Sequence, residues 1–352
     1  MSVPSCHMQA AEKAPGQTAH YAASCNEISL RGDVIMQNKM ISETKNGKTV
    51  NIWLECLFFI LIYLVLDAAK GVFVSVPLVI EMIKTNFLEL FVGGIIGVND
   101  ILEIINDLMA SPSVVITMLF SCALSIIGVI IYCRKIQKRS FTSMGITKKG
   151  AIKNYLIGML IGAALLIVIY IIYFILGVAR DISYSGFSYF IPLFFFGFAI
   201  QSTSEEFLLR GYLMNSLAAR SNIPVAVILN SAIFMVIHLL NPGVTIISMV
   251  NILIFGLLFS LMFLLTENIW MVSGLHFFWN FASGCIFGSN VSGIRTESLF
   301  SIPLTGSELV AGGEFGVEGS IVTTVIGAVS VLALLLLLFN KSRPEHQQAD
   351  MY

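Results

Sequence analysis

Apolar residues fall in long runs along this chain and not in alternation. The stretches "LFFILIYLVL" (57–66), "MLIGAALLIVIYIIYFIL" (159–176) and "VSVLALLLLLF" (329–339) are apolar all round a helix. With their flanks, several reach the ~20 residues needed to cross a bilayer. The pattern predicts an all-α fold, a polytopic membrane helix bundle of about eight transmembrane helices. The expected spans are roughly 52–69, 113–133, 154–178, 188–209, 223–240, 246–265, 269–287 and 319–340. Residues 71–97 are apolar but interrupted by Pro77, Glu81, Lys84 and Glu89. They are expected to extend the first helix and then form an amphipathic or loop segment, with a ninth span as the alternative.

The runs divide the chain. Residues 1–50 are polar, weakly patterned and without a signal-peptide core, so a disordered N-terminal tail is expected. Residues 51–112 hold the first transmembrane helix and a variable segment. Residues 113–340 form the main membrane domain, and 341–352 a C-terminal tail.

Composition agrees with this division. The chain is 57% hydrophobic and 12% charged, against about half and a quarter for a soluble domain. Net charge is −1, and no basic patch is interleaved with aromatics, which argues against nucleic acid as a partner. The six cysteines show no CxxC pair and read as small buried hydrophobes. The segment "RKIQKRSFTSMGITKKGAIK" (134–153) carries seven Lys or Arg, which makes it cytoplasmic by the positive-inside rule. Eight spans then place both termini in the cytoplasm, with Lys70, Lys84, Arg180 and Arg295 outside. The acidic loop 288–318, which contains Glu318, also falls outside.

Against this background "STSEEFLLRGY" (202–212) stands out. From Ser113 to Thr266 the acidic residues are Asp181, Glu205 and Glu206 alone. Ionisable groups at membrane depth cost at least ~2.5–3.5 kcal/mol each on insertion scales, and so mark functional sites. His238 and His276 also lie inside apolar spans. Glu206 and Arg210 are i,i+4 and share a helix face, as do Phe234 and His238, and His276 and Asn280. Facing lipid, each polar group would be unsatisfied. Three polar faces on three helices therefore predict one shared pocket. A carboxylate in an apolar pocket suits a general base. Imidazoles position water, move protons or bind metal, and an asparagine amide stabilises an oxyanion. Together these groups suit the addition of water to an amide carbonyl. Ser204 lies beside the carboxylates, which do not activate a hydroxyl as a His–Asp pair does.

The motifs "EEFLLR", "FMVIH" and "HFFWN" resemble the EExxxR, FxxxH and HxxxN signatures of the CAAX prenyl endopeptidase family. That family is also known as the CPBP intramembrane proteases or Abi family, and includes the Ras-converting enzymes. The three stand in the family's order, each on its own apolar segment, and "GGEFGVEGS" is seen before the last helix of bacterial members. The resemblance covers about 113–340. It implies an eight-helix intramembrane endopeptidase acting on a CAAX-like, bacteriocin-type or other membrane peptide. Glu205 would activate water, Glu206 and Arg210 would orient the site, and His238 and His276 would position the water or ligate a metal. Asn280 would stabilise the oxyanion.

Whether a cofactor takes part is open. Glu205, His238 and His276 would supply the three protein ligands of a catalytic Zn²⁺ or other divalent metal; a mechanism on glutamate alone fits equally well. Nothing in the chain is eukaryote-specific, so a prokaryotic member in a bacterial plasma membrane is expected. Its partners would be the lipid bilayer and a peptide or protein substrate. The rival readings are a non-catalytic immunity or scaffold protein and a proton-coupled transporter. Inverted repeats, common in transporters, are not visible here.

One geometric condition follows from these spans. His276 lies ~10 Å from the cytoplasmic end of its helix and His238 ~22 Å from its own, at 1.5 Å per residue. The two meet only if the helix carrying His238 starts beyond the membrane surface or tilts. The helix carrying Glu205 should likewise run on towards Asn215.

Overall fold

The computed structural model describes residues 38–87 and 98–341. The expected N-terminal tail up to residue 37, the C-terminal tail from 342 and the end of segment 71–97 lie outside the described residues. Residues 38–50 of the segment expected as a tail are among the described ones. Helix α1, Lys39–Lys45, is capped by the Asn38 side chain and buries Met40, Ile41 and Thr44. The Thr44 hydroxyl donates to Ser143 O at 3.3 Å, which fixes α1 to the turn after the second long helix.

Helix α2 spans Ile52–Lys84 and starts at Asn51, whose side chain accepts from Leu54 N. Beyond the span expected to end at 69 the helix extends, as expected for this segment, and it continues through Pro77. Its 33 residues make a rod of ~50 Å at 1.5 Å per residue, well beyond the ~30 Å hydrocarbon layer. Residues 71–84 thus extend the first helix, and a separate helix α3, Val98–Met109, follows.

The remaining helices are α4 (Pro112–Ile136) and α5 (Ala151–Ile175), α6 (Ile191–Glu206), a π-helical stretch (Phe207–Met214) and α7 (Asn215–Arg220). They are followed by α8 (Ile223–Val236), α9 (Ile246–Thr266), α10 (Ile269–Phe281) and α11 (Ile321–Lys341). Among the described residues five helices are long and apolar enough to cross a membrane: α2, α4, α5, α9 and α11. The protein is an integral membrane helix bundle. The other three expected spans are helical but shorter or interrupted, and they are the three that carry the motifs. Every residue of α10 except Trp270 and Phe278 is buried, so this helix is wrapped by protein.

Glycine sets the position of α10. A Cβ on Gly158 would lie 2.0 Å from Met271 O, one on Gly162 would lie 2.7 Å from Leu275 O, and one on Gly274 would lie 2.1 Å from Tyr155 O. Gly158 and Gly162 form a small-xxx-small stripe, which lets two backbones approach in the absence of a hydrophobic force between helices. The stripe draws α10, and His276 with it, against α5. Gly158→Val is expected to lose most of the folded protein. Size-exclusion recovery in detergent checks this, and a monodisperse, native-like yield would contradict the packing.

The loops gather at two ends. At one end the 137–150 turn ties several elements together: Asn215 Nδ2 donates to Ser143 O at 2.8 Å and Ile269 N to Gly145 O at 2.9 Å. Arg220 donates to Thr49, Lys39 N to Glu267 Oε2 and Lys341 Nζ to Leu265 O. Both ends of the described chain therefore lie at this basic end. Arg139 is not the solvated charge that its place in the basic segment suggests. It is fully buried and donates to Gly211 O, Tyr212 O and Ser143 O at 2.8, 3.2 and 2.8 Å. Burial pushes its pKa down, yet the ring of acceptors explains why a charge is tolerated there.

At the other end the loop after α5 meets the loop after α10. β1, Ser183–Tyr184, pairs antiparallel with β2, Phe300–Ser301. Glu318, in the loop expected outside, is buried. It accepts from Trp279 Nε1 at 2.8 Å and from Ser292 N and Oγ at 2.8 and 2.7 Å. The described cysteines 56, 122, 133 and 285 are free thiols.

Candidate active site

Glu205 and Glu206 end α6 where the backbone turns π-helical. Such widened turns recur at functional sites. Adjacent residues on a helix point ~100° apart, and here this separates the two carboxylates by environment. Glu206 is fully buried and Glu205 is 22% exposed.

Glu206 is the inner hub. Its Oε1 accepts from Arg210 Nη1 at 3.1 Å and pairs with His276 Nδ1 at 2.8 Å. Arg210, also fully buried, donates its Nη2 to Gly256 O at 3.1 Å. Its guanidinium lies 4.7 Å from the Phe234 ring centroid and 5.3 Å from that of Phe259, a sandwich that favours a desolvated cation. Phe234 also lies 4.7 Å from His238 and 6.1 Å from His276, ring to ring, and Phe259 stacks on His276 at 4.8 Å. The phenylalanine of the FMVIH motif thus packs on three of the polar side chains at once.

The partners fix the histidine tautomers. An ionised carboxylate and a carbonyl only accept. His276 Nδ1 therefore donates to Glu206, and His238 Nδ1 donates to Phe234 O at 2.7 Å. In the neutral rings both Nε2 atoms are left as acceptors. His276 Nε2 lies 3.9 Å from Glu205 Oε2, which is enclosed and has no hydrogen-bond partner among the described residues. Glu205 Oε1 accepts from Gln201 Nε2, and Gln201 Oε1 accepts from Asn280 Nδ2 at 3.1 Å. Ser204 donates its hydroxyl to Gln201 O at 2.7 Å.

Glu205, His238, His276 and Asn280 all line one cavity of about 300 Å³. Glu206 and Arg210 support it from behind. The depth condition is met by the chain beyond Arg210. The helix carrying Glu205 continues to Arg220, and Asn215, not Arg220, is level with the turn that also receives Ile269. The α7–α8 corner therefore projects past the start of α10. His238 falls just beyond the end of α8, opposite His276.

Among the described residues no three His, Cys, Asp or Glu side chains converge closely enough to hold a metal ion. The Nδ1 atoms of His238 and His276 are held by Phe234 O and Glu206, and their Nε2 atoms are left free.

Sequence reasoning missed Gln201, which links Glu205 to Asn280, and Phe259, which stacks on His276. It also missed the Gly256 carbonyl as an acceptor for Arg210. A polar Gln201 one turn before Glu205 was the available signal for the first. The other two depend on which helix packs opposite.

Residues 187–282 match a family described as type II CAAX prenyl endopeptidase Rce1-like. The match runs from just before α6 to just past α10 and includes all seven motif residues, Phe234 among them. No curated protein and no solved structure matches the chain.

Proposed function

We propose, from the match of residues 187–282 to the type II CAAX prenyl endopeptidase Rce1-like family, that this chain is an intramembrane endopeptidase in which Glu205 activates water. The family is one of proteases, so the substrate is a peptide or protein at the membrane. The observation that carries the mechanism is the unpartnered Glu205 Oε2, enclosed at 3.9 Å from His276 Nε2 in the shared cavity. Buried acceptors are rarely left unmatched. A substrate water held between these two acceptors donates one proton to each, and this leaves a lone pair free to attack.

In this reading Glu205 takes a proton as the water oxygen bonds to the peptide carbonyl carbon. The carbonyl π electrons move to oxygen, and the Asn280 amide hydrogen-bonds the oxyanion. Collapse of the tetrahedral intermediate breaks the C–N bond, and the proton held by Glu205 passes to the leaving amine. His276 keeps its tautomer through Glu206, whose charge is held by Arg210. His238 presents a second Nε2 acceptor to the attacking water or the leaving amine. The basic end faces the cytoplasm by the positive-inside rule, and both ends of the described chain lie there.

Asn280→Ala tests the oxyanion role. Loss of one such donor is expected to lower kcat by about 10²–10³-fold with KM little changed. The assay follows cleavage of C-terminal membrane peptides, prenylated and unprenylated, by protein in lipid nanodiscs, with products identified by mass. Absence of cleavage by the wild type, or an unimpaired Asn280→Ala, overturns the proposal.

A further inference from the structure

Gln201 stands one turn before Glu205 on α6, outside the three motifs, and is half-buried between that carboxylate and α10. The two ends of its amide meet partners of opposite kind. Nε2 donates to Glu205 Oε1, while Oε1 accepts from Asn280 Nδ2 at 3.1 Å and from the Ser202 hydroxyl at 3.1 Å. Ser202 is fully buried and Asn280 is 5% exposed, so packing holds both donors against the Gln201 carbonyl.

This row of groups has one end fixed. An ionised carboxylate only accepts, so the Gln201 amide turns its NH₂ to Glu205. Its carbonyl is then left for α10, and a carbonyl only accepts. Asn280 therefore presents Nδ2 to Gln201, because Oδ1 in that place would set two carbonyl oxygens face to face. An amide nitrogen carries two hydrogens. Gln201 takes one from Asn280, and the other is left for the oxyanion of the proposed reaction. Ser202 cannot select the orientation by itself. Its Oγ lies 3.5 Å from Asn280 Nδ2, and a hydroxyl both donates and accepts.

The same contact divides the Glu205 carboxylate. Oε1 is occupied by Gln201, and Oε2 is enclosed without a partner among the described residues. Oε2 is thus the oxygen that takes the proton.

We infer that Gln201 is a positioning residue: it carries the acceptor character of Glu205 across to α10 and so sets the Asn280 amide with an N–H towards the oxyanion. The inference rests on the endopeptidase reading above. Glu206 does the same for His276, whose tautomer it fixes through Nδ1.

A double-mutant cycle in kcat tests this, on protein in nanodiscs with membrane peptides that the wild type cuts. Gln201→Met is expected to lower kcat on the order of 10-fold, the usual worth of one or two hydrogen bonds, with KM within about threefold. In the Asn280→Ala background the same substitution is expected to cost less than about threefold, because the group it orients is gone. A merely structural role would lower kcat by the same factor in both backgrounds. Gln201→Asn is one methylene too short to meet Glu205 and Asn280 together. It repeats the cycle with a polar side chain, and thermal melting in detergent checks that each variant is folded. Equal losses in the two backgrounds, or turnover of Gln201→Met within about twofold of wild type, overturns this inference alone, since wild-type cleavage still sustains the endopeptidase reading. Absence of cleavage by the wild type overturns both.

Discussion

Glu205→Ala is expected to reduce peptide cleavage by about 10²–10⁴-fold, the usual worth of a positioned general base, with folding intact. Activity and stability separate here because of where the two carboxylates sit. Glu205 faces the cavity, and among the described residues its side chain has one hydrogen-bond partner, Gln201. Removing it strands no buried cation, since Arg210 is held by Glu206. The thermal midpoint in detergent should stay within a few degrees of wild type while turnover in nanodiscs disappears. Glu205→Gln is the sharper control. It preserves volume and a carbonyl acceptor for Gln201 but cannot take a proton. Turnover within tenfold of wild type in either variant would place the base elsewhere.

Arg210→Met should do the reverse and act first on stability. Arg210 and Glu206 are both at 0% side-chain exposure. Breaking a buried pair from one side typically costs about 3–5 kcal/mol, because the remaining charge has no compensation. Here the loss also removes the donor to Gly256 O and the cation between Phe234 and Phe259. Arg210→Lys is not expected to restore it, since one ammonium cannot match a planar fork that reaches Glu206 and Gly256 together. Adding Glu206→Gln to Arg210→Met should recover part of the stability by neutralising the stranded acid. Urea titration in detergent with a tryptophan signal reads the difference. If the single variant loses less than ~1 kcal/mol, within reach of an ordinary surface substitution, the hub carries no such weight.

Activity should fall in Arg210→Met as well, through His276. Glu206 receives the His276 Nδ1 proton at 2.8 Å and so keeps Nε2 free towards Glu205. Without the guanidinium the Glu206 carboxylate is no longer held in place, and the His276 ring loses the fixed acceptor that sets its tautomer.

Much of this site is written in local spacing. The i,i+4 steps from Glu206 to Arg210 and from His276 to Asn280 became a hydrogen-bonded pair and two neighbours lining one cavity. Lys70 was missed for an identifiable reason. Ending the first span at 69 put it outside the membrane, on the expected extension of the helix, whereas it lines the cavity. Read as an ionisable residue within one uninterrupted helix, it would have stood with the other intramembrane charges. The burial of Glu318 and Arg139 went unseen for a different reason. Charges in loops read as solvated, and only packing shows that acceptors or donors from distant segments enclose them.

The sequence by itself determined that this protein is a bundle of lipid-embedded helices, because an apolar run of helical length has no other stable form in a bilayer. It also determined that polar groups on three of those helices must meet, because each is too costly to leave in hydrocarbon. The tertiary structure alone decided which carboxylate is sealed against Arg210 and which faces the cavity. It also decided that α10 is held in the centre by its contacts at Gly158 and Gly274, and that a fourth helix brings Lys70 to the same chamber. Those outcomes depend on helix rotation and on which face meets which neighbour. Both are fixed by close packing between segments far apart in the chain, and no local pattern encodes them.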